Sequence, residues 1–126
     1  MATTTLTAET IGQVINENDI VLIDFWAEWC GPCKMFGPIF EKSSEEHPDV
    51  VFGKVDTEAE QLIAAQLQIS AIPTIMAFRE GVPVYRQSGA LPGPLLEKVV
   101  AAVKDLDMDE VREKIAAAEQ SAGAEA

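Results

Sequence analysis

The chain holds two cysteines, and both stand in the stretch Trp29-Cys30-Gly31-Pro32-Cys33-Lys34. That spacing suits the making and breaking of one disulfide. If a helix begins near Gly31, the two thiols lie on one face a turn apart, close enough to bridge without moving the backbone. The helix N-terminus also sets unpaired amide donors and a positive dipole end beside the first sulfur, which favours the thiolate, the form that attacks disulfides. Cys30 is therefore the expected, accessible nucleophile. Cys33, one turn inside, is expected to be shielded and to act second.

The elements around this pair read as alternating strand and helix. Thr7 is a candidate N-cap, with Leu6 stapled onto Ile11, for a first helix that turns Ile11, Val14 and Ile15 to the core. Ile20 to Ala27 is almost continuously apolar, as in a strand covered on both faces, and it ends at the cysteines. After Cys33, the spacing of Phe36, Ile39 and Phe40 is helical; Pro38 should kink this helix, and Pro48 should lie beyond its end. Val50 to Asp56 reads as a second strand. Thr57-Glu58-Ala59-Glu60 has the capping-box pattern, and Leu62, Ile63 and Leu67 are the expected buried stripe of the helix it opens. Such alternation implies parallel pairing through right-handed crossovers.

The pattern then changes. Thr74–Arg79 and Val82–Gln87 flank Glu80-Gly81, a turn signal for an antiparallel hairpin, and Pro83 assigns the second strand to an edge. A last core helix is expected from about Pro94, with Leu95, Leu96, Val99, Val100 and Val103 inward. The main domain is read as residues 1–104. Residues 105–126 hold seven of the 21 acidic residues and form an acidic extension. Asp107 and Glu110 are spaced as a capping box for a short helix with Val111, Ile115 and Ala118 on one stripe, and 121–126 is expected to fray.

Composition narrows the function. A net charge of −12 disfavours nucleic acid and anionic membranes as partners. No apolar run approaches the roughly 20 residues that span a bilayer. The first residues lack the basic and apolar stretches of a secretory signal, so a reducing cytoplasm is the expected compartment. Two cysteines in tandem would staple almost nothing, so the pair reads as catalytic or metal-binding. Zinc wants four ligands, and the other strong soft-metal candidate is His47, read here as a surface residue at a helix C-terminus.

Asp24-Phe25-Trp26-Ala27-Glu28-Trp29-Cys30-Gly31-Pro32-Cys33-Lys34 resembles the active-site segment of the thioredoxin family. Further matches are Lys54, Ile72-Pro73-Thr74, Gly81 and Gly89, and the resemblance covers roughly residues 6–104. It implies the thioredoxin fold, a central mixed sheet flanked by helices in βαβαβ then ββα order. It also implies a protein-disulfide reductase, monomeric, with no bound cofactor, that draws electrons from NADPH through a flavoprotein thioredoxin reductase.

The resemblance further implies roles for individual residues. A buried Asp24 would accept the proton of Cys33, with Lys54 setting its electrostatics. Ile72-Pro73 would be a cis bond facing the thiols. Trp29, Gly31, Pro32, Ile72, Pro73, Gly89 and Ala90 would make a flat docking surface for target proteins, with Trp29 exposed. Relatives that oxidise or isomerise disulfides commonly carry His where Pro32 stands, so Pro32 points to a reductant. The competing reading is a non-catalytic module using the same fold as a scaffold for a partner.

Overall fold

The computed structural model describes residues 2–125. Strands β1 (Thr3–Thr5), β2 (Ile20–Trp26), β3 (Val51–Asp56), β4 (Thr74–Arg79) and β5 (Val82–Ser88) form one sheet in the order β1-β3-β2-β4-β5. Helices are α1 (Ile11–Glu17), α2 (Gly31–Glu46), α3 (Gln61–Gln66), α4 (Gly93–Lys104) and α5 (Met108–Glu125). β3 pairs in parallel with β1 and β2, whereas β4 runs antiparallel to β2 and β5, so the sheet is mixed as expected.

The unbroken apolar run of β2 follows from its central place. Side chains alternate between faces along a strand. Ile20 and Leu22 enter a cluster with Phe36 and Phe40 of α2 and Leu96, Val100 and Val103 of α4. Val21, Ile23 and Phe25 point the other way, into a cluster completed by Ile11, Val14 and Ile15 of α1 and Ile63 and Leu67 near α3. By the same alternation Asp24 belongs to the α2 face. So does Lys54 on β3, two positions after Phe52 of the α2-side cluster.

Local chemistry sets the sheet's edges. On β3, a Cβ at Gly53 would stand 2.8 Å from Cγ of the buried Leu6, so only glycine lets the β1 connection pass. Glu80 and Gly81 have φ of 53° and 80°, the pair of positive values that a type I′ hairpin turn requires. β5 lies on the edge, as Pro83 predicts, and a register shift interrupts its ladder between Ala77 and Phe78.

Several expectations are corrected. Local pattern gives no sign of β1, because Thr3–Thr5 is short and wholly polar. The N-cap of α1 is Thr10, not Thr7; Thr7 N donates to Thr10 Oγ1 at 3.0 Å, closing a turn before the helix. The box at Thr57–Glu60 does not form, since Asp56 Oδ1 takes the amides of Glu58 (2.9 Å) and Ala59 (3.4 Å). Leu62 is 73% exposed because the six-residue α3 buries only its Ile63 side, and Leu95 is likewise exposed on the outer face of α4.

Beyond Lys104 the packing continues. Met108 is buried, and Arg79 Nη1 donates to the carbonyls of Val103 (2.8 Å), Lys104 (3.1 Å) and Leu106 (3.3 Å), closing the C-terminus of α4. Asp107 caps α5 by accepting from Glu110 N at 3.2 Å, and Arg112 reaches Glu80 of the hairpin turn at 2.8 Å. α5 spans Met108–Glu125; Ala126 lies outside the described residues. Among the described residues no helix is long and apolar enough to cross a membrane.

Candidate active site

β2 delivers the chain to the start of α2, where Cys30 is the N-cap in extended conformation and Pro32 lies in the first turn. Proline costs nothing there, because its missing N–H would have had no intrahelical acceptor. Cys30 and Cys33 are joined by a disulfide with Cα atoms 5.2 Å apart. The Cys30 sulfur accepts from Cys33 N at 3.2 Å, so the first sulfur meets an amide donor of the helix terminus as expected. In this oxidised form exposure does not separate the two residues: Cys30 is 4% and Cys33 5% exposed. The expected open face of Cys30 is closed by its neighbours, for Ala27, Trp26 and Ile72 pack around the pair.

The loop before β4 supplies the opposite wall. Ile72-Pro73 is a cis bond, and the Ile72 carbonyl oxygen lies 3.7 Å from the Cys30 sulfur. Gly89 N donates to the Pro73 carbonyl at 2.8 Å with φ of 101°, a conformation that side chains resist, and so fixes the segment leading to Ala90. Pro73 is buried, Ile72 half-buried, and Gly31, Pro32, Gly89 and Ala90 are exposed. Trp29 is 69% exposed, and its indole N–H donates to Glu58 Oε1 at 2.6 Å. Glu58 is the partner that sequence reasoning missed, since the capping-box pattern assigns roles to Thr57 and Glu60 and none to Glu58 between them.

On the α2 face of β2 lies a carboxyl group with unusual surroundings. Asp24 is fully buried, and neither carboxylate oxygen has a hydrogen-bond partner. Its cross-strand neighbour Lys54 brings Nζ to 4.0 Å from Oδ2, and the same ammonium sits 5.4 Å from the Trp26 ring centroid. Burial pushes the Asp24 pKa up to about 7, with the Lys54 charge pulling against it. Cys33, Phe36 and Phe40 lie on the buried side of α2, and Phe36 and Phe40 pack with Leu22, two residues before Asp24 on the same face of β2. A cavity of about 190 Å³ lined by Cys33, Trp26 and Lys54 connects the inner cysteine to the partner of Asp24, with space for several waters.

His47 is not the plain surface residue expected. Its ring is half-buried, stacks on Phe52 at 6.4 Å, and joins the C-terminus of α2 to α4 through Glu97 at 2.9 Å. Its other nitrogen faces Lys104 Nζ at 3.1 Å. An ammonium can only donate, so Nδ1 accepts and Nε2 donates to Glu97.

The family model described as Thioredoxin matches residues 2–115. "Putative thioredoxin 2" of Streptomyces coelicolor is 53% identical over 122 residues, covering 97% of this chain and 91% of its own, a span that takes in most of α5. A variant thioredoxin of Halobacterium salinarum superposes with a TM-score of 0.77 at 30% identity, covering 82% of this chain and 92% of its own. The oxidised mitochondrial thioredoxin 3 of Saccharomyces cerevisiae gives 0.73 at 37%, covering 82% and 95%. Fold, redox-active cysteine pair and relatives agree: this chain belongs to the thioredoxin family and is a thiol–disulfide oxidoreductase.

Proposed function

We propose that the chain is a general protein-disulfide reductase, and that the Cys30–Cys33 bridge is the product end of its cycle. One observation supports this most strongly: the bridge stands at a helix N-terminus opposite a cis-proline loop whose Ile72 carbonyl lies 3.7 Å from the Cys30 sulfur. In the reduced protein, the Cys30 thiolate attacks one sulfur of a target disulfide and expels the other as a thiolate, giving a mixed disulfide. Cys33 passes its proton to Asp24, and its thiolate attacks the Cys30 sulfur. The Cys30–Cys33 bond forms, the target leaves as a dithiol, and two electrons have moved from protein to target.

Asp24 suits this step because a carboxylate with a pKa near 7 is a competent acceptor at neutral pH. Lys54 keeps it from rising further. The cavity beside Lys54 supports a water-borne route for the proton. Trp29, Gly31, Pro32, Ile72, Pro73, Gly89 and Ala90 form the docking face, where backbone of the cis-proline loop meets an extended target segment. The dithiol is regenerated by a flavoprotein thioredoxin reductase using NADPH, so the chain acts as an electron carrier in the cytoplasm, as a monomer and without a cofactor of its own. The acidic segment after Lys104 serves solubility rather than chemistry.

Reduction of insulin disulfides, with NADPH and a bacterial thioredoxin reductase supplying electrons, tests this reading. NADPH consumption that depends on the chain and disappears in Cys30→Ser is expected. Stoichiometric complexes without turnover would instead favour a scaffold.

A further inference from the structure

The two sides of the docking face differ in charge. On the Trp29 side, Thr57 donates from N (2.9 Å) and Oγ1 (3.1 Å) to the Trp26 carbonyl, fastening the 56–60 loop beside the Trp26–Trp29 segment. That loop brings Asp56, Glu58 and Glu60, and Glu28 precedes Trp29; Glu28 and Glu58 are exposed. Glu58 is held against the indole itself. Of the two lysines nearby, Lys54 is engaged with Asp24 and Trp26, leaving Lys34 as the freer cation. On the cis-proline side, no charged residue occurs in 68–78 or 87–96. The closest cation in sequence, Arg86, is forked onto the carbonyls of Leu67 and Gln68.

We propose that this face selects among disulfides by charge: it favours polypeptide cystines with Lys or Arg beside them, seated against Glu28 and Glu58, and an uncharged extended stretch along Ile72, Gly89 and Ala90. The inference rests on the reductase reading above and adds a substrate class to it. Complementary exposed charges raise encounter rates and lose their effect as salt shortens the Debye length. Glu58 is well placed for this, because its bond to the exposed Trp29 ring holds the carboxylate at the contact surface.

A single-turnover experiment needs no reductase. The fully reduced protein, freed of excess reductant, is mixed with three synthetic peptide disulfides that differ only in flanking residues: Lys/Arg, Ser, or Asp/Glu. Each event oxidises one protein dithiol and reduces one peptide disulfide, read by chromatography of the peptide thiols. At about 0.01 M salt the cationic peptide is expected to react roughly five-fold faster than the neutral one, and the anionic one more slowly. The three rates should converge near about 0.5 M salt.

The double variant Glu28→Gln/Glu58→Gln, which keeps an amide oxygen for the Trp29 indole, should lose most of that ratio. Asp109→Asn/Glu113→Gln on α5 changes net charge equally and should retain it. Equal rates for all three peptides at low salt overturn the proposal, as does an equal loss of the ratio in the α5 control. Reduction of none of them would instead overturn the reductase reading and take this inference with it.

Discussion

Two carboxylates on the α2 side of the molecule have opposite fates. Glu97, at the end far along α2 from the cysteines, meets His47 at 2.9 Å and Ser43 at 3.4 Å, while His47 is held from its other side by Lys104, itself bonded to Asp49 at 3.1 Å. Burial alone would raise the Glu97 pKa; the hydrogen bonds, led by that of His47, outweigh it and hold the carboxyl below its usual range. Asp24, near the cysteines, is more deeply buried and has no hydrogen bond, only an ammonium 4.0 Å away, and its pKa rises to about 7. A satisfied carboxylate clasps two helices. An unsatisfied one is kept at a cost in stability that leaves it free to exchange a proton.

The largest test of that contrast is Asp24→Asn, which mimics the protonated acid. The native state holds a proton on Asp24 from about pH 4 to about pH 7 that the unfolded chain has already lost, so stability falls as pH rises through this window. Denaturant titrations should show the variant gaining about 4 kcal/mol at pH 8, with the gain vanishing near pH 4. Resolution of a trapped mixed disulfide should slow in the same variant at neutral pH. A variant no more stable than the parent at pH 8 would mean that Asp24 is not strained.

At the other end the signs reverse. Arg79→Ala orphans three carbonyls at the C-terminus of α4 and should cost about 2 kcal/mol in urea unfolding, with reductase kinetics unchanged. His47→Ala removes the clasp between α2 and α4 and should destabilise by about 1 kcal/mol, again without effect on turnover. A fall in insulin reduction by either variant would join the two ends that the comparison separates. Smallest of all, Leu62→Ser on the exposed side of α3 should shift stability by less than about 0.5 kcal/mol.

Features carried by local pattern were legible in the sequence. The apolar run of β2, the helical spacing after Cys33, the Glu80-Gly81 turn and the edge position marked by Pro83 all follow from residues within a few positions of one another. Asp24 stood out because a carboxylate inside such a run has no solvent. What escaped depends on distant partners. His47 looked superficial because Glu97 and Lys104 are about 50 residues away. The box at Thr57–Glu60 gives way to Asp56, which takes the amides of Glu58 and Ala59, and the partner of Glu58, Trp29, is 29 residues away. Leu62 and Leu95 carry the right residue type on the wrong side, which only the packing of α3 and α4 decides. The cis bond at Pro73 followed from family resemblance, since X-Pro in general is far more often trans.

The blunted margins of the sheet bear on the company such a protein keeps. An oxidoreductase that handles extended, cystine-bearing segments repeatedly meets chains with unpaired backbone, and an open strand would template their assembly. One margin here is a strand of three threonines and the other is interrupted by a proline and a register shift. Neither margin offers a long open ladder on which visiting polypeptide could accumulate, which suits a protein proposed to meet its targets at the cis-proline loop.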